Sequence, residues 1–294
     1  MPKPRVGITV GDPAGIGPEI AIKAAADPAV LKVCEPCLYG PYHETDLRAF
    51  VPGTLSAEAG RVACEAIARA VEDVRLGRID AIATAPINKE AFALAGIPFK
   101  GHTDLLANLT KSEQAVMMFH SEPLRVVLAT VHVALREVPQ LLTPELLDFI
   151  IELTARELPR FGYAAPRIAL AGLNPHAGEH GVIGDEDGEV LRPAVDRARA
   201  RGIDISGPWP GDTVFARASK RAFDVVIACY HDQGLIPVKL LAFGRAVNVT
   251  LGLPIVRTSV DHGTAFDIAG QGIADPASLI EAVRLAARLV VGKQ

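Results

Sequence analysis

Residues 224–266 read DVVIACYHDQGLIPVKLLAFGRAVNVTLGLPIVRTSVDHGTAF, and this stretch decides how the rest of the chain is interpreted. It opens with an apolar run, residues 225–229, which predicts a buried strand. His231, Asp232 and Gln233 follow at once, as is typical of α/β proteins that bind ligands beyond the carboxyl ends of their strands. Further ionisable and amide side chains come at Lys239, Arg245, Asn248, Arg257, Asp261 and His262. Because buried charge is rare unless it is paired or functional, the stretch predicts a functional site.

Strand-like and helical patterns alternate along the whole chain. Strand-like runs lie at 5–10, 79–84, 125–131, 167–173 and 225–229. Helical spacing is found at 56–76, 143–160, 189–201 and 277–291. The alternation predicts an α/β protein with mostly parallel strands. Between two of these segments, the glycine and proline content of residues 207–213 predicts a loop.

Composition excludes several classes of protein. The 294 residues are 49% hydrophobic, which is enough to bury a full core in one large or two ordinary domains. The net charge is -4 and no basic run occurs, so nucleic acid and anionic membranes are not expected as partners. No apolar stretch reaches the length of a membrane span, and a strand-like run begins at Arg5, so we expect a cytoplasmic protein without a signal peptide.

The first two of the four cysteines form a C-x-x-C pair, Cys34 and Cys37. The pair could be a redox or zinc motif, but a thioredoxin-type motif should begin a helix and this one lies in a strand-like run. Residues three apart in a strand point to opposite faces, so structural thiols are the favoured interpretation. Cys64 and Cys229 are expected to be core thiols as well.

Two segments near helix starts could bind an anion. Residues 11–19, GDPAGIGPE, lie between a strand and a helix, but their order G-x-x-x-G-x-G is not the dinucleotide fingerprint. A tight structural turn is an equally good interpretation of these glycines. His102 and Thr103 would lie at the start of another helix, where Thr103 or Asp104 could instead act only as a cap.

Three histidines each follow an apolar strand: His132, His176 and His231. Parallel strands end at one edge of a sheet, so these imidazoles could converge although they are distant in sequence. Three histidines with open positions would form a catalytic metal site, suited to zinc, cobalt, manganese or, less naturally, magnesium. Taken singly, each histidine could equally be a hydrogen-bonded structural residue.

Three further side chains are candidates for binding a substrate. Lys239 could hold a carboxylate or phosphate, could move a proton, or could be an ordinary surface lysine. Arg257 lies within an apolar run, where an arginine is more often paired or ligand-binding than idle. Asn248, in another apolar run, could orient a ligand or pair locally.

The chain resembles the 4-hydroxythreonine-4-phosphate dehydrogenase family of vitamin B6 biosynthesis. Matching segments run from Gly11 to Ala265 and therefore cover nearly the whole chain. They are GDPAGIGPE, GIPFKGHTD, LATVHVALR, GLNPHAGE, GPWPGDTVF, YHDQGLIPVK, GRAVNVTLGLP and RTSVDHGTA.

The resemblance implies a fold similar to that of the isocitrate and isopropylmalate dehydrogenases, with two α/β/α lobes and a cleft between them. We expect residues 1–97 plus 267–294 in the first lobe, and residues 98–266 in a second lobe with the metal and most substrate residues. The family works as homodimers, and we expect the active site near the dimer interface. It uses NAD or NADP without the usual fingerprint, and no cofactor-contacting residue is identified here.

The resemblance also implies roles for individual residues. The metal ligands would be His132, His176 and His231. The substrate-binding residues would be His102, Thr103, Lys239, Asn248 and Arg257. We expect Lys239, His231 and Asp232 to act in catalysis, Lys239 through proton transfer.

The implied reaction converts 4-phosphohydroxy-L-threonine to 3-amino-2-oxopropyl phosphate. Hydride passes from C3 to NAD or NADP, and the β-keto acid then loses carbon dioxide. One divalent metal (Zn, Mg, Mn or Co) would bind the C3 hydroxyl and stabilise the enolate charge.

Other functions stay open. Relatives within the family act on 4-phospho-D-threonate, 4-phospho-D-erythronate or a terephthalate cis-dihydrodiol. A metal-dependent hydrolase or lyase without nicotinamide would use the same histidines, and nicotinamide binding separates it from a dehydrogenase. A pure binding protein would not need so many metal-type ligands.

Overall fold

A computed structural model describes residues 2–113 and 115–292. The strands are β1 (Arg5–Thr9), β2 (Glu35–Tyr39), β3 (Ala81–Thr84), β4 (Val116–His120), β5 (Arg125–Leu128), β6 (Ile168–Ala171), β7 (Ile205–Trp209), β8 (Val225–Ala228), β9 (Val247–Leu251) and β10 (Arg257–Ser259). The helices are α1 (Gly17–Ala26), α2 (Pro28–Val33), α3 (Glu44–Leu47), α4 (Ala57–Arg75), α5 (Lys89–Leu94), α6 (His102–Thr110), α7 (Val138–Leu141), α8 (Pro144–Glu157), α9 (Arg192–Ala200), α10 (Gly211–Ser219), α11 (His231–Ala242) and α12 (Ala277–Val291). Within the described ranges, no helix has the length and apolar character needed to cross a membrane.

The chain forms two compact units whose boundaries differ from the expected ones. The first unit contains the described residues up to Ala115 and those from Val247 onward, and the second is Val116–Ala246. Residues 98–113, 115 and 247–266, expected in the second lobe, therefore lie in the first unit. The reason is local packing: β9 pairs with β10, β10 pairs with β3, and Leu105 of α6 lies in the first unit's core.

The first unit is built on strands in the order β2-β1-β3-β10-β9. All adjacent pairs are parallel except β10 with β9. α12 packs against β3 and β10, while α4 packs against β1 and β3. Ser56 begins α4 by accepting a hydrogen bond from the N–H of Ala59 at 3.1 Å, so the predicted helix at 56–76 is confirmed. The predicted last helix is confirmed at Ala277–Val291.

The second unit has the strand order β4-β5-β8-β6-β7. β5, β8, β6 and β7 are parallel, and only β4 runs antiparallel to its neighbour. The buried core includes Val126, Leu128, Val226 and Ala228. The predicted α/β class with mostly parallel strands is confirmed in both units.

The predicted loop at 207–213 is wrong, because these residues end β7 and begin α10. β7 pairs with β6 and lies last in the strand order. At such an edge a proline such as Pro208 does not interrupt a second ladder of hydrogen bonds. Glycine and proline therefore indicated a loop where the chain forms an edge strand.

The glycines of residues 11–17 are required by close backbone contacts. Gly11 has φ +71, and a Cβ on it would lie 2.1 Å from the carbonyl oxygen of Pro86. A Cβ on Gly17 would lie 2.0 Å from the carbonyl oxygen of Val10. These contacts favour the tight structural turn over a binding loop.

Gly234 lets α11 lie directly on the sheet of the second unit. A Cβ there would lie 2.6 Å from Cδ2 of Leu128, 2.8 Å from Cγ1 of Val126 and 3.2 Å from Cβ of Ala228. The start of α11, and with it His231, is positioned by this contact with β5 and β8.

We expect Gly234→Ala to lower the free energy of unfolding by about 1–3 kcal/mol, because the added methyl group overpacks the contact. The matched control is Gly188→Ala, where the added Cβ meets no atom within 4 Å. That variant should be neutral or more stable by up to about 1 kcal/mol, because alanine favours helix. Urea unfolding measures both, and equal stabilities would contradict the packing argument.

Candidate active site

The carboxyl ends of β5 and β8 bring two of the three predicted histidines together. His132 follows Leu128 by four residues and His231 follows Ala228 by three, and the two strands are parallel neighbours. The ring centroids of His132 and His231 are 5.7 Å apart. The predicted proximity of His132 and His231 at the strand ends is therefore confirmed.

Hydrogen bonds tie the three strand ends to one another. Thr130 Oγ1 donates to the carbonyl oxygen of Cys229 at 2.8 Å, which links the ends of β5 and β8. The Gln233 side chain accepts from the N–H of Cys229 at 2.7 Å and donates to the carbonyl oxygen of Gly172 at 2.7 Å. It thus links the ends of β8 and β6.

Asp232 orients the ring of His231. The distance from His231 Nδ1 to Asp232 Oδ1 is 2.7 Å. A carboxylate at Nδ1 fixes the ring orientation and leaves Nε2 as the free ligand atom, an arrangement found at metal-binding histidines. Asp232 acts here through His231.

His176 lies in a left-handed turn after β6. Five consecutive residues, 176–180, have positive φ: 54 at His176, 52 at Ala177, 77 at Gly178, 43 at Glu179 and 57 at His180. The buried carboxylate of Asp187 holds the start of this turn, accepting from the N–H of Leu173 at 2.9 Å and of Asn174 at 2.9 Å. The Asn174 side chain donates to the same carboxylate at 3.0 Å.

The fit to a metal is partial. Over residues 2–113 and 115–292, no group of three or more His, Cys, Asp or Glu side chains lies close enough to hold a metal ion. The structure therefore brings His132 and His231 together, while His176 is not part of a preformed three-residue cluster. Two adjacent imidazoles, one of them oriented by a carboxylate, fit a divalent transition metal by their donor chemistry.

α11 carries the remaining predicted residue of the second unit, Lys239, eight residues after His231 and half-buried. Apolar residues on the same side of this helix as Lys239, and directly after its end, are open to solvent. Ile236 is 65% exposed, Leu240 82% and Phe243 80%. Exposed apolar side chains at this spacing form an apolar stripe that could serve as an interaction surface.

In the first unit, His102 and Thr103 form the first turn of α6, as predicted. Gly101 is the N-cap, and it has no side chain to satisfy the first-turn N–H groups. Neither Thr103 nor Asp104 caps the helix; Asp104 Oδ2 accepts instead from the N–H of Lys100 at 3.2 Å. The first turn of α6 therefore remains suited to an anion.

Arg257 is a buried cation without a carboxylate partner. The residue is 2% exposed, and its guanidinium donates to Thr250 Oγ1 at 2.9 Å and to Thr84 Oγ1 at 2.7 Å. No ion pair to Arg257 occurs within the described ranges. Burial lowers the pKa of Arg257 to about 9, because the charged form loses its hydration. Such a site favours an anionic ligand that would restore neutrality.

Some of the buried polar atoms without a hydrogen-bond partner belong to the predicted substrate residues. Three of them belong to His102 (Nε2), Asn248 (Oδ1) and Arg257 (Nε). The others in the described part of the chain belong to Thr9, Asp12, Arg160 and Arg197. Burying such atoms without partners is costly, so a ligand that supplies partners would be bound favourably.

Reasoning from sequence missed Thr84, Thr250 and Asp187, and it named Gln233 without its role in linking strands. Thr84 and Thr250 contact Arg257, Gln233 links two strand ends, and Asp187 holds the turn with His176. The one available signal was position, because Thr84 ends a strand and is followed by Ala85-Pro86-Ile87-Asn88-Lys89. Asp187 lies just before the predicted helix at 189–201 and gave no such signal.

The described cysteines are all free thiols. Cys34 ends α2 and Cys37 lies in β2, so their C-x-x-C pair does not begin a helix. Burial raises the pKa of the Cys34 thiol to about 11, which keeps it protonated at neutral pH.

The chain is similar to proteins of one family. Residues 19–286 match the family model described as pyridoxal phosphate biosynthetic protein PdxA. A 4-hydroxythreonine-4-phosphate dehydrogenase of Desulforapulum autotrophicum is 43% identical over 323 residues, covering 97% of this chain and 95% of the relative. A D-threonate 4-phosphate dehydrogenase of Cupriavidus necator is 45% identical over 323 residues, covering 97% of each.

A solved structure agrees with these similarities. The crystal structure of 4-hydroxythreonine-4-phosphate dehydrogenase from Klebsiella pneumoniae superposes with a TM-score of 0.88 at 40% identity, covering 98% of both chains. The similarity extends through both units.

The pH dependence of stability should report the buried state of His102. Burial, reinforced by the positive charges of Arg257 and Lys89, lowers the pKa of His102 well below 6.5. As the pH falls, the unfolded chain therefore binds a proton at His102, whereas the folded chain keeps this side chain neutral. The contribution of neutral, buried His102 to the free energy of unfolding is complete above about pH 6.5. It is lost as the pH falls below that value, by up to about 1.4 kcal/mol per pH unit.

We therefore expect His102→Gln to lose less stability than the wild type between about pH 7 and about pH 5. Urea unfolding at a series of pH values gives the two profiles. Parallel profiles would show that His102 does not titrate differently on folding.

Proposed function

The chain belongs to the PdxA family, and from this premise we propose a nicotinamide- and divalent-metal-dependent dehydrogenase that oxidises and decarboxylates a small phosphorylated hydroxy acid. The first substrate we propose is 4-phosphohydroxy-L-threonine, with 3-amino-2-oxopropyl phosphate as product and NAD or NADP as hydride acceptor. The resemblance to the 4-hydroxythreonine-4-phosphate dehydrogenase family is confirmed by the family model and the relatives.

The observation that carries the proposal is the uncompensated charge of Arg257. Among the described residues, the buried guanidinium donates only to hydroxyl groups, so it attracts an anion, and the proposed substrate has a phosphate and a carboxylate. Partnerless atoms on His102 and Asn248 offer further hydrogen bonds, and the first turn of α6 adds the N–H groups around Thr103. These residues would bind and orient the substrate.

His132 and His231 would hold the divalent metal, with His176 as the third ligand that the family resemblance implies. A bound metal would polarise the C3 oxygen, and a bound nicotinamide would accept hydride from C3. Asp232 would keep the His231 ring in its ligating orientation.

Lys239 would move the protons of the reaction. It would take the proton of the C3 hydroxyl as hydride leaves C3, and would return a proton to C2 after the C1–C2 bond breaks. Its position on α11, the helix that His231 begins, fits this role.

D-threonate 4-phosphate is the second candidate substrate, since relatives with that name are as similar to this chain as those named for the threonine compound. The two molecules share the phosphate, the C1 carboxylate and the C3 hydroxyl, and they differ at C2. Arg257, His102 and Asn248 would serve either one.

We also propose a homodimer formed through the apolar stripe of α11, composed of Ile236, Leu240 and Phe243. A second copy is the fitting occupant because the stripe is uncharged and lies on the helix that carries His231 and Lys239. The dimer interface would then adjoin the catalytic residues, as the family resemblance implies.

We expect nicotinamide reduction with 4-phosphohydroxy-L-threonine or 4-phospho-D-threonate, and its loss on treatment with a metal chelator. Absorbance of the reduced nicotinamide is followed with each substrate, with 4-phospho-D-erythronate and a terephthalate cis-dihydrodiol alongside. Turnover of the threonine compound alone would favour vitamin B6 synthesis. Metal-loaded protein that is silent with every substrate would refute the dehydrogenase.

Two variants control this experiment. Lys239→Ala should still bind the substrate in calorimetry but lose turnover, whereas full activity would exclude the proton-transfer role. His231→Ala should lose bound metal as measured by elemental analysis, because one of the two adjacent imidazoles is removed.

The homodimer should sediment at twice the chain mass of 31.1 kDa. Leu240→Glu should shift the protein to the monomer, because it places a charge in the apolar stripe. Val51→Glu is the matched control, at a site 67% exposed in the first unit, and it should stay dimeric. A monomeric wild type, or a dimeric Leu240→Glu variant, would contradict the proposed interface.

A further inference from the structure

Thr84 and Ser259 form a hydroxyl pair beside Arg257. The two residues lie opposite each other on the parallel strands β3 and β10. Thr84 Oγ1 accepts from the Arg257 guanidinium at 2.7 Å and donates to Ser259 Oγ at 3.0 Å, with the carbonyl oxygen of Thr258 as a longer acceptor at 3.5 Å. Ser259 Oγ donates in turn to the backbone carbonyl of Thr84 at 3.2 Å. Thr84 is fully buried and Ser259 is 4% exposed.

The direction of this chain of hydrogen bonds is fixed by its two ends. The guanidinium can only donate, and the carbonyl oxygen of Thr84 can only accept. Each hydroxyl has a single proton, so both protons are directed away from Arg257. The lone pairs of Thr84 Oγ1 are thereby held toward the cation, and the Thr84 rotamer is locked at both ends.

The hydroxyl pair leaves the charge of Arg257 available. A carboxylate at the position of Thr84 would orient the guanidinium equally well but would neutralise it. Thr250 Oγ1 contacts the other terminal nitrogen and is also uncharged. Of the five N–H donors of an arginine, these two contacts use two, and Nε lacks a partner among the described residues.

We propose that Thr84 and Ser259 are positioning residues that hold Arg257 ready to bind the anionic group of the substrate. Thr84 acts directly on the guanidinium, and Ser259 acts through Thr84. The proposal rests on the proposed function of Arg257 as an anion-binding residue. It predicts that substrate affinity depends on two residues that do not themselves touch the substrate.

The test is the binding of 4-phosphohydroxy-L-threonine and 4-phospho-D-threonate, measured by calorimetry on the full-length protein. Thr84→Val removes the acceptor and should weaken binding about tenfold, the size expected when a hydrogen bond to a charged group is lost. Ser259→Ala should weaken binding about threefold, and Thr84→Ser should restore it to the wild-type value. For the substrate that is turned over, KM should rise in Thr84→Val while kcat stays nearly unchanged.

Thr258→Val is the matched control. Thr258 is a fully buried residue of the same strand, and its Oγ1 donates at 2.8 Å to the carbonyl oxygen of Ala282 in α12, away from Arg257. The variant loses a comparable hydrogen bond and should keep wild-type affinity. A loss of affinity equal to that of Thr84→Val would point to general destabilisation and overturn the positioning role.

Arg257→Met separates this proposal from the proposed function. If it weakens binding while Thr84→Val and Ser259→Ala bind as the wild type does, the positioning role is wrong and the anion-binding role of Arg257 stands. If Arg257→Met binds normally, or the wild type binds neither compound, both proposals fail.

Discussion

Parallel pairing of β5, β8 and β6 is the constraint on which the chemistry of the second unit depends. Parallel neighbours end at one edge of the sheet, so segments distant in sequence leave the core side by side. The exchange of hydrogen bonds among Thr130, Cys229 and Gln233 fixes the spacing of those ends. His132 and His231 become neighbours as a result, although no local pattern joins them. The apolar core of the second unit keeps these strands in register and so keeps the two histidines side by side.

The first unit buries the guanidinium of Arg257, and the hydroxyl groups that contact it do not neutralise its charge. Removing a guanidinium from water costs several kcal/mol unless a partner compensates it. Hydroxyl groups at Thr84 and Thr250 satisfy two donors and supply no negative charge. An anion bound at Arg257, as proposed, would relieve the remaining cost. Burial is the main reason why His102 stays neutral, and the charge of Arg257 adds to it.

Sequence reasoning predicted what periodicity and strand ends can reveal. The α/β class and the helices beginning after Ser56 and at Ala277 followed from local patterns. The proximity of His132 and His231 followed from their placement at the ends of parallel strands. Two elements, β7 and α11, were not predicted by local patterns. β7 was hidden by glycine and proline that an edge strand tolerates, and α11 contains Pro237, which argues against a helix. The unit boundaries also differed, because the pairing of β9 and β10 depends on contacts that no local pattern encodes.

The left-handed turn at His176 is another feature that local sequence patterns do not predict, and its energetics explain why. Four non-glycine residues between 176 and 180 have positive φ, at roughly 1–2 kcal/mol each, or about 4–8 kcal/mol together. Asp187 accepts three N–H hydrogen bonds from Leu173 and Asn174, and charged acceptors contribute about 1.5–3 kcal/mol each, or about 4.5–9 kcal/mol. The two sums are comparable, so a single buried carboxylate is enough to hold a turn that its own residues disfavour. The position of His176 is therefore set by a residue eleven positions later in the chain, and only the folded protein reveals that dependence.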